Sequence, residues 1–290
     1  MSPEQSPEKL AGPTHRDEQS GVSIISPRPM TLPTWAREMW DHREVLAALT
    51  RKDFQVRYKR ATLGFLWAVA VPLVQAGVLA TIFSRIGQFA HQSFSYPAYV
   101  LASVLAWSYL ATTITASCTS IVDGAGLTDK VWFPRAILAI VPTGANAVAL
   151  VASVVALIVA LPLFGEPLRP RLLLLFPAVL LLMAFTTALG LVLSALNVYF
   201  RDVRHLVAAT LLMWFYATPI IYPLQAIGAR GRWLDFNPAT GVLALFQVAA
   251  VGSVTGTGRA IAVAVVVTIA LLAAGVSLQR RFDRLFVDLL

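Results

Sequence analysis

Three consecutive aromatic residues, Trp214-Phe215-Tyr216, stand with Phe65, Trp67, Trp107 and Tyr109 as the side chains best suited to meet a ligand. Flat rings suit the apolar faces of sugars, and Trp and Tyr add one hydrogen-bonding end. The same residue types collect at membrane–water boundaries. By type alone, Trp67 and Trp107 therefore serve equally well as boundary anchors. On a helix, successive residues point about 100° apart, so the triplet cannot all face one surface. Spacing relates Tyr216 to Leu212 and Pro219, which makes Tyr216 the candidate ligand-facing residue and Trp214 a packing or lipid-facing anchor. Thr112, Thr113, Thr115, Ser117, Thr119 and Ser120 crowd a second stretch. Their expected use is close helix packing and interhelical hydrogen bonding.

Groups that could carry a reaction are sparse, and no catalytic residue is expected. The four His residues, His15, His42, His91 and His205, are scattered, so no metal site is expected. Cys118 is the single cysteine and lies in an apolar run, which leaves no disulfide framework. Residues 252–259, GSVTGTGR, are Gly-rich but lack the Lys and following Ser/Thr of a phosphate-binding loop. If ATP drives this protein, another subunit must bind it.

The elements that position these residues follow from composition. Of 290 residues, 57% are apolar and only 13% charged, against roughly 25% charged in globular chains. Six uncharged stretches, at about 62–84, 97–121, 136–162, 172–198, 206–224 and 260–279, each approach the roughly 20 residues that span a bilayer as a helix. None holds an Asp, Glu, Lys or Arg in its interior. That argues against an ion-coupled pump with midplane relay groups and against a membrane hydrolase. Pro72 and Pro142 fall inside stretches, where kinks are expected.

The expected fold is an all-α membrane protein with six transmembrane helices over residues 61–290. Residues 1–33 read as a disordered tail of Pro, Ser and charge with no signal-peptide core. Residues 34–60 read as an amphipathic helix, with Trp35, Met39, Trp40, Leu46 and Leu49 at helical spacing. Such a helix lies along a membrane surface or packs on a soluble partner, the former preferred. Asp41 and Glu44 resemble a capping box ahead of Val45. The apolar run 242–251 is too short to cross, so a pair of short re-entrant gate helices, broken near Asn237-Pro238, is expected between the fifth and sixth spans. The basic cluster Arg51, Lys52, Arg57, Lys59 and Arg60 precedes the first span. By the positive-inside rule it stays in the cytoplasm, placing both termini there in a multi-pass inner-membrane protein. The same placement of basic residues explains the net charge of +8 without nucleic acid.

Several motifs in register complete the reading. Arg51-Lys52-Asp53-Phe54-Gln55-Val56-Arg57-Tyr58-Lys59 precedes Leu63-Gly64-Phe65-Leu66-Trp67, and Val131-Trp132-Phe133-Pro134-Arg135 closes the first loop. Asn197-Val198-Tyr199-Phe200-Arg201-Asp202-Val203-Arg204-His205 is the most specific segment, followed by Thr218-Pro219-Ile220-Ile221-Tyr222-Pro223 and Asn237-Pro238-Ala239-Thr240-Gly241. Together these resemble the permeases of type-two ABC exporters, in the branch that exports O-antigen, capsule, teichoic acid and cell-wall galactan. The resemblance implies the transmembrane subunit of an ATP-driven exporter of lipid-linked polysaccharide, working as a homodimer over two separate ATPase subunits. This chain would bind no cofactor, and ATP and Mg would sit in the partner. It further implies a coupling helix at Gly124, Gly126, Leu127, Thr128, Asp129 and Lys130, and a signature cytoplasmic loop carrying Asn197, Tyr199, Arg201, Asp202, Arg204 and His205. In such permeases an aromatic belt lines the sugar conduit; its candidates here are Phe65, Trp67, Trp107, Tyr109, Phe215 and Tyr216. Asp123-Gly124-Ala125-Gly126 and Thr128-Asp129 depart from the usual coupling pattern, being more acidic and Gly-richer. An ABC permease for drugs or lipids is the alternative with the same fold; a membrane scaffold is the alternative without transport.

Overall fold

The computed structural model describes residues 32–59, 64–86, 94–128, 133–252 and 257–282. The tail before Leu32 and the expected roles of Arg60, Asp129 and Lys130 lie outside the described residues. Eleven α-helices are described: α1 (Leu32–Asp41), α2 (Arg43–Tyr58), α3 (Leu66–Ile86), α4 (Tyr96–Asp123), α5 (Ala125–Thr128), α6 (Ala136–Ala160), α7 (Leu175–Tyr199), α8 (Val203–Ala217), α9 (Leu224–Ile227), α10 (Pro238–Val251) and α11 (Thr257–Phe282). No strand occurs among the described residues. The fold is an all-α membrane protein.

Five helices, α3, α4, α6, α7 and α11, are long and apolar enough to cross a membrane. The expected fifth span at 206–224 differs. Its helix α8 has 15 residues and ends at Ala217. Pro219 explains the end, because a proline disfavours helical backbone in the residue before it, and Thr218 is already extended. The chain runs helically through Pro72 and Pro142.

α4 is the centre of the bundle. Every residue from Ala98 to Trp107 is buried, so this helix is enclosed on all faces. It packs on α3, α6, α7, α8 and α10. The surrounding helices instead keep apolar stripes exposed: Val71, Val74, Val78 and Ile82 on α3, and Val148, Val151, Val155 and Val159 on α6. Stripes of this length suit an apolar surrounding, in which every backbone group is satisfied within its own helix.

Close approach rests on small residues, the usual device where no water drives helices together. A Cβ on Gly190 would lie 2.7 Å from the Ser117 Cβ, where α7 crosses α4. A Cβ on Gly241 would collide with the Ala260 carbonyl, where α10 meets α11.

The amphipathic segment is two helices. Met39, Val45, Leu46 and Leu49 pack against a cluster of Ile121, Phe133, Ile137, Leu138 and Val141 at one end of the bundle. Its apolar face is thus partly covered by the protein's own helices, and Trp40 remains exposed with the Arg43 guanidinium 5.5 Å from its ring centroid. The capping box does not form. Asp41 closes α1, and α2 begins after His42 with no side-chain cap; the His42 N–H donates to the Glu38 carbonyl of α1.

Candidate functional site

Four regions hold the residues that the sequence singles out. At the end of the bundle opposite α2, the segment after α8 turns through Thr218-Pro219-Ile220-Ile221 and is clamped from several sides. Tyr99 donates to the Pro219 carbonyl at 2.8 Å and Tyr96 to the Ile221 carbonyl at 2.6 Å. Gln247 in α10 donates to the same Pro219 carbonyl at 2.8 Å and to Ser103 Oγ at 2.9 Å. Asn237 sits at the break between the short helices. Its Oδ1 caps α10 by accepting from Ala239 N at 3.1 Å and also accepts from Trp214 Nε1 at 2.9 Å. Its Nδ2 donates to Thr218 Oγ1 at 3.1 Å. An extended Asn before Pro is the preferred geometry for such a start. Burial pushes the Tyr222 hydroxyl above its ordinary value, since the phenolate would lose its water.

A part-buried ion pair closes the same end. Arg171 Nη2 lies 2.7 Å from Glu166 Oε2 and donates to the Ala250 carbonyl in the last turn of α10 at 2.8 Å. Glu166 Oε1 accepts from Ser95 N, ahead of α4, at 2.9 Å. The pair therefore ties α4, the 161–170 connection and α10 together. In the sequence the only signal for this pair is Glu166, five residues before Arg171. Gln247, a lone amide in an apolar run, was the signal for the second missed contact.

The aromatic candidates separate into three places. Trp107 and Phe215 come together with centroids 5.7 Å apart, and Trp214 meets Trp107 at 5.9 Å, all within the protomer. Trp107 and Phe215 are buried, and Trp214 is half-buried. Tyr216 lies on the opposite side of α8, 63% exposed beside Leu212 and Met213. Phe65 and Trp67 are exposed at the start of α3. Tyr109 is buried and donates to the Thr143 carbonyl at 3.0 Å.

Trp67 and Tyr109 share a cavity of about 310 Å³ between α2, α3, α4 and α6. Tyr58, Ser108, Asn146 and Ser153 also line it. Asn146 is held from two sides: Arg57 Nη1 donates to its Oδ1 at 3.0 Å, and its Nδ2 donates to Thr113 Oγ1 at 3.0 Å. Arg57 is in turn paired with Asp53 at 2.8 Å.

The loops at the α2 end hold the remaining candidates. Gly124 is buried against Leu138, Gly126 is exposed, and Leu127 packs at the edge of the Ile121–Phe133 cluster. Ala125 to Thr128 form the short helix α5. Arg201 and Asp202 are exposed between α7 and α8, and Arg204 and His205 are exposed in the first turn of α8, with Arg204 Nε 3.2 Å from His205 Nε2. Asn197 and Tyr199 point inward; Asn197 is buried, and Tyr199 packs on the Ile121–Phe133 cluster. No group of metal-ligating side chains occurs among the described residues.

Comparison with known proteins gives this arrangement a family. The model of the ABC-2 type transporter family matches residues 44–251, from α2 through α10. The O-antigen export system permease protein RfbA of Myxococcus xanthus is 31% identical over 215 residues, covering 73% of this chain and 82% of the relative. A protein of the same name from Klebsiella pneumoniae is 28% identical over 204 residues, covering 69% of this chain and 77% of the relative. With the family match spanning both the clamped end and the α2 end, the chain belongs to the ABC-2 type transporter family.

Proposed function

We propose that this protein is the transmembrane subunit of an ATP-driven exporter that moves a lipid-linked polysaccharide across the cytoplasmic membrane. The observation that carries the reading is the similarity to O-antigen export permeases over 73% of the chain. The surface of the protomer supports it. α3 and α8 expose faces with Phe65, Trp67 and Gln75 on one and Thr210 and Tyr216 on the other. A second copy brought against these faces would enclose a neutral, partly aromatic path suited to sugar. Both termini lie in the cytoplasm in this reading, with α10 and its clamp on the outer side. Exposed Gly126 and the Arg201–His205 loop face the cytoplasm, where two ABC ATPase subunits holding ATP and Mg would dock. The ring of Tyr216 stacks on passing sugar, while Trp107 and Phe215 brace the helix behind it.

The test is reconstitution with the candidate ATPase and a lipid-linked polysaccharide. ATP-dependent delivery of polymer to the far side is expected, and the permease alone should turn over no ATP. Delivery of an amphiphilic drug or a phospholipid with no movement of polymer would instead establish efflux of small amphiphiles.

A further inference from the structure

Arg57 turns a guanidinium into the helix bundle, although the packing of α2 does not call for one. The other contacts that seat α2 there are apolar or steric. Val45, Leu46 and Leu49 lie against the Ile121–Phe133 cluster. Thr50 sits so close to Gly144 that a Cβ on the glycine would lie 3.0 Å from its Cγ2. Apolar contacts are not directional and leave a helix free to slide along its neighbour. A hydrogen bond to a buried group fixes position, because the low local dielectric strengthens it. Among the described residues, Arg57 is the α2 side chain that makes such a bond to the bundle.

The bond does not end on α6. Arg57 Nη1 donates to Asn146 Oδ1 at 3.0 Å, and Asn146 Nδ2 donates to Thr113 Oγ1 of α4 at 3.0 Å. Asn146 is 3% exposed and Thr113 is fully buried, so the amide is held at both ends inside the protein. One turn earlier in α4, Tyr109 donates to the Thr143 carbonyl at 3.0 Å. Thr187 of α7 donates to Thr143 Oγ1 at 3.1 Å. α2, α4, α6 and α7 thus meet in one polar layer. Asp53, 2.8 Å from Arg57, balances the guanidinium from within α2, so the layer takes in no net charge. Beside it lies the cavity of about 310 Å³ that Tyr58, Trp67 and Asn146 line. That free space lets the end of α2 shift against α6 without displacing close-packed side chains.

α4 is the element that such a shift reaches. α3 packs on it, and its Trp107 meets Trp214 and Phe215 of α8, so α4 carries both faces of the proposed sugar path. We infer that Arg57, acting through Asn146, is a positioning residue that makes α4 follow α2. Movement of the amphipathic segment on the ATPase side thereby reaches the walls of the path. This rests on the export reading and adds to it a bridge of three side chains, Arg57, Asn146 and Thr113. The apolar contacts hold α2 in place, and the bridge makes its position felt in α4.

The test uses the full-length chain reconstituted with the candidate ATPase. It reads cargo delivered per ATP hydrolysed, ATP turnover and thermal midpoint. Arg57→Met and Asn146→Leu should each lower cargo per ATP at least about fivefold, with ATP turnover little changed. The double variant should be no worse than either, because both changes break one link. Arg57→Lys keeps a cation able to donate to Asn146 and should restore most of the ratio. Thr113→Val keeps the side-chain shape and breaks only the α4 end of the bridge; it should lower the ratio at least about threefold. A purely structural role predicts the opposite split: lower thermal midpoint and folded yield, with cargo per ATP unchanged for each folded complex. That split overturns the proposal, and so do losses that multiply in the double variant. Where Arg57→Met fails to fold, Thr113→Val decides, and an unchanged ratio in it overturns the bridge. The ratio is taken on whichever cargo the unaltered complex moves. Transport of a small amphiphile in place of polymer would therefore sink the polysaccharide reading and still test the bridge.

Discussion

The clamped end around α10 and the exposed faces of α3 and α8 are built on opposite principles, although Trp214 and Tyr216 join the two kinds of surface within a single turn of α8. At the clamped end side-chain amides and hydroxyls hold the backbone from several sides. Asn237 alone serves Trp214, Thr218 and the start of α10, and Gln247, Tyr96 and Tyr99 fix the carbonyls of the Thr218–Tyr222 turn. Along the exposed faces, Val71, Val74 and Val78 of α3 and Leu206, Leu212 and Met213 of α8 stand exposed with no polar fixation. In an apolar medium hydrogen bonds and close backbone contact are what specify one arrangement, because burial of apolar surface no longer does. The clamped end is therefore a rigid reference, and the exposed faces are left free to meet a second copy or cargo. Substitutions at the first should cost folding, and substitutions at the second should cost function alone.

The largest effect is expected at Gly241. A Cβ there runs into the Ala260 carbonyl, which is backbone and cannot swing aside. Gly241→Leu should separate α10 from α11 and cost more than about 3 kcal/mol. The yield of monodisperse, detergent-extracted protein should fall at least about tenfold. Gly126→Ala, at an exposed position with open space around it, should leave yield unchanged. Equal yields for the two would remove the basis for calling the α10 end rigid.

Trp214→Ala comes next. The ring packs edge-on against Trp107 and Phe185 and its N–H is bonded to Asn237. Truncation of a large ring costs roughly 3–5 kcal/mol when fully buried; half-burial favours the lower figure. A fall in thermal midpoint with residual export per folded molecule near normal is expected.

Arg171→Met should cost about as much or somewhat less. Removing one partner of this part-buried pair leaves Glu166 uncompensated beside Ser95, a loss below the roughly 3 kcal/mol of a fully buried pair. The double variant Glu166→Gln/Arg171→Met should recover part of the thermal midpoint, since it removes the stranded charge. A double variant less stable than the single one would show that the bond from Arg171 to Ala250, rather than the ion pair, holds α10.

What the sequence made legible divides along the same line. The apolar stretches located the long helices because bilayer thickness imposes a length that composition displays directly. The break at Asn237 was readable from an Asn-Pro pair, which has both a capping side chain and a fixed φ. The end of α8 was missed because Thr218 to Tyr222 are apolar enough to pass as span, whereas Pro219 and the carbonyl acceptors for Tyr96 and Tyr99 impose a turn. The cover on the amphipathic segment was also missed. Its pattern shows that Val45, Leu46 and Leu49 need an apolar partner but carries nothing about which one, and α6 supplies it. Long-range polar contacts such as Arg57 to Asn146, 89 residues apart, have no local signature at all.

The smallest effect on folding, and the one that most sharpens the contrast, is expected at Tyr216. The ring is 63% exposed on α8, and its backbone carbonyl, not its side chain, accepts from Tyr222 at 3.0 Å. The Phe215 ring contacts it edge-on at 5.2 Å, but Phe215 itself is anchored independently by Trp107. Tyr216→Ala therefore leaves the helix, its neighbours and every clamp bond in place, and stability should change by no more than about 0.5 kcal/mol. If the exposed faces of α3 and α8 form the path for sugar, the variant loses one stacking surface, worth about 1 kcal/mol in contact with a ring. Export per folded molecule should then fall a few-fold, while Tyr216→Phe, which keeps the ring and loses only the hydroxyl, should retain most of it. Polymer delivery and membrane-inserted protein are measured together for both variants beside Trp214→Ala. If export follows Trp214 at unchanged yield while Tyr216→Ala is silent, the two sides of α8 have the reverse roles, and the buried aromatic cluster lines the path.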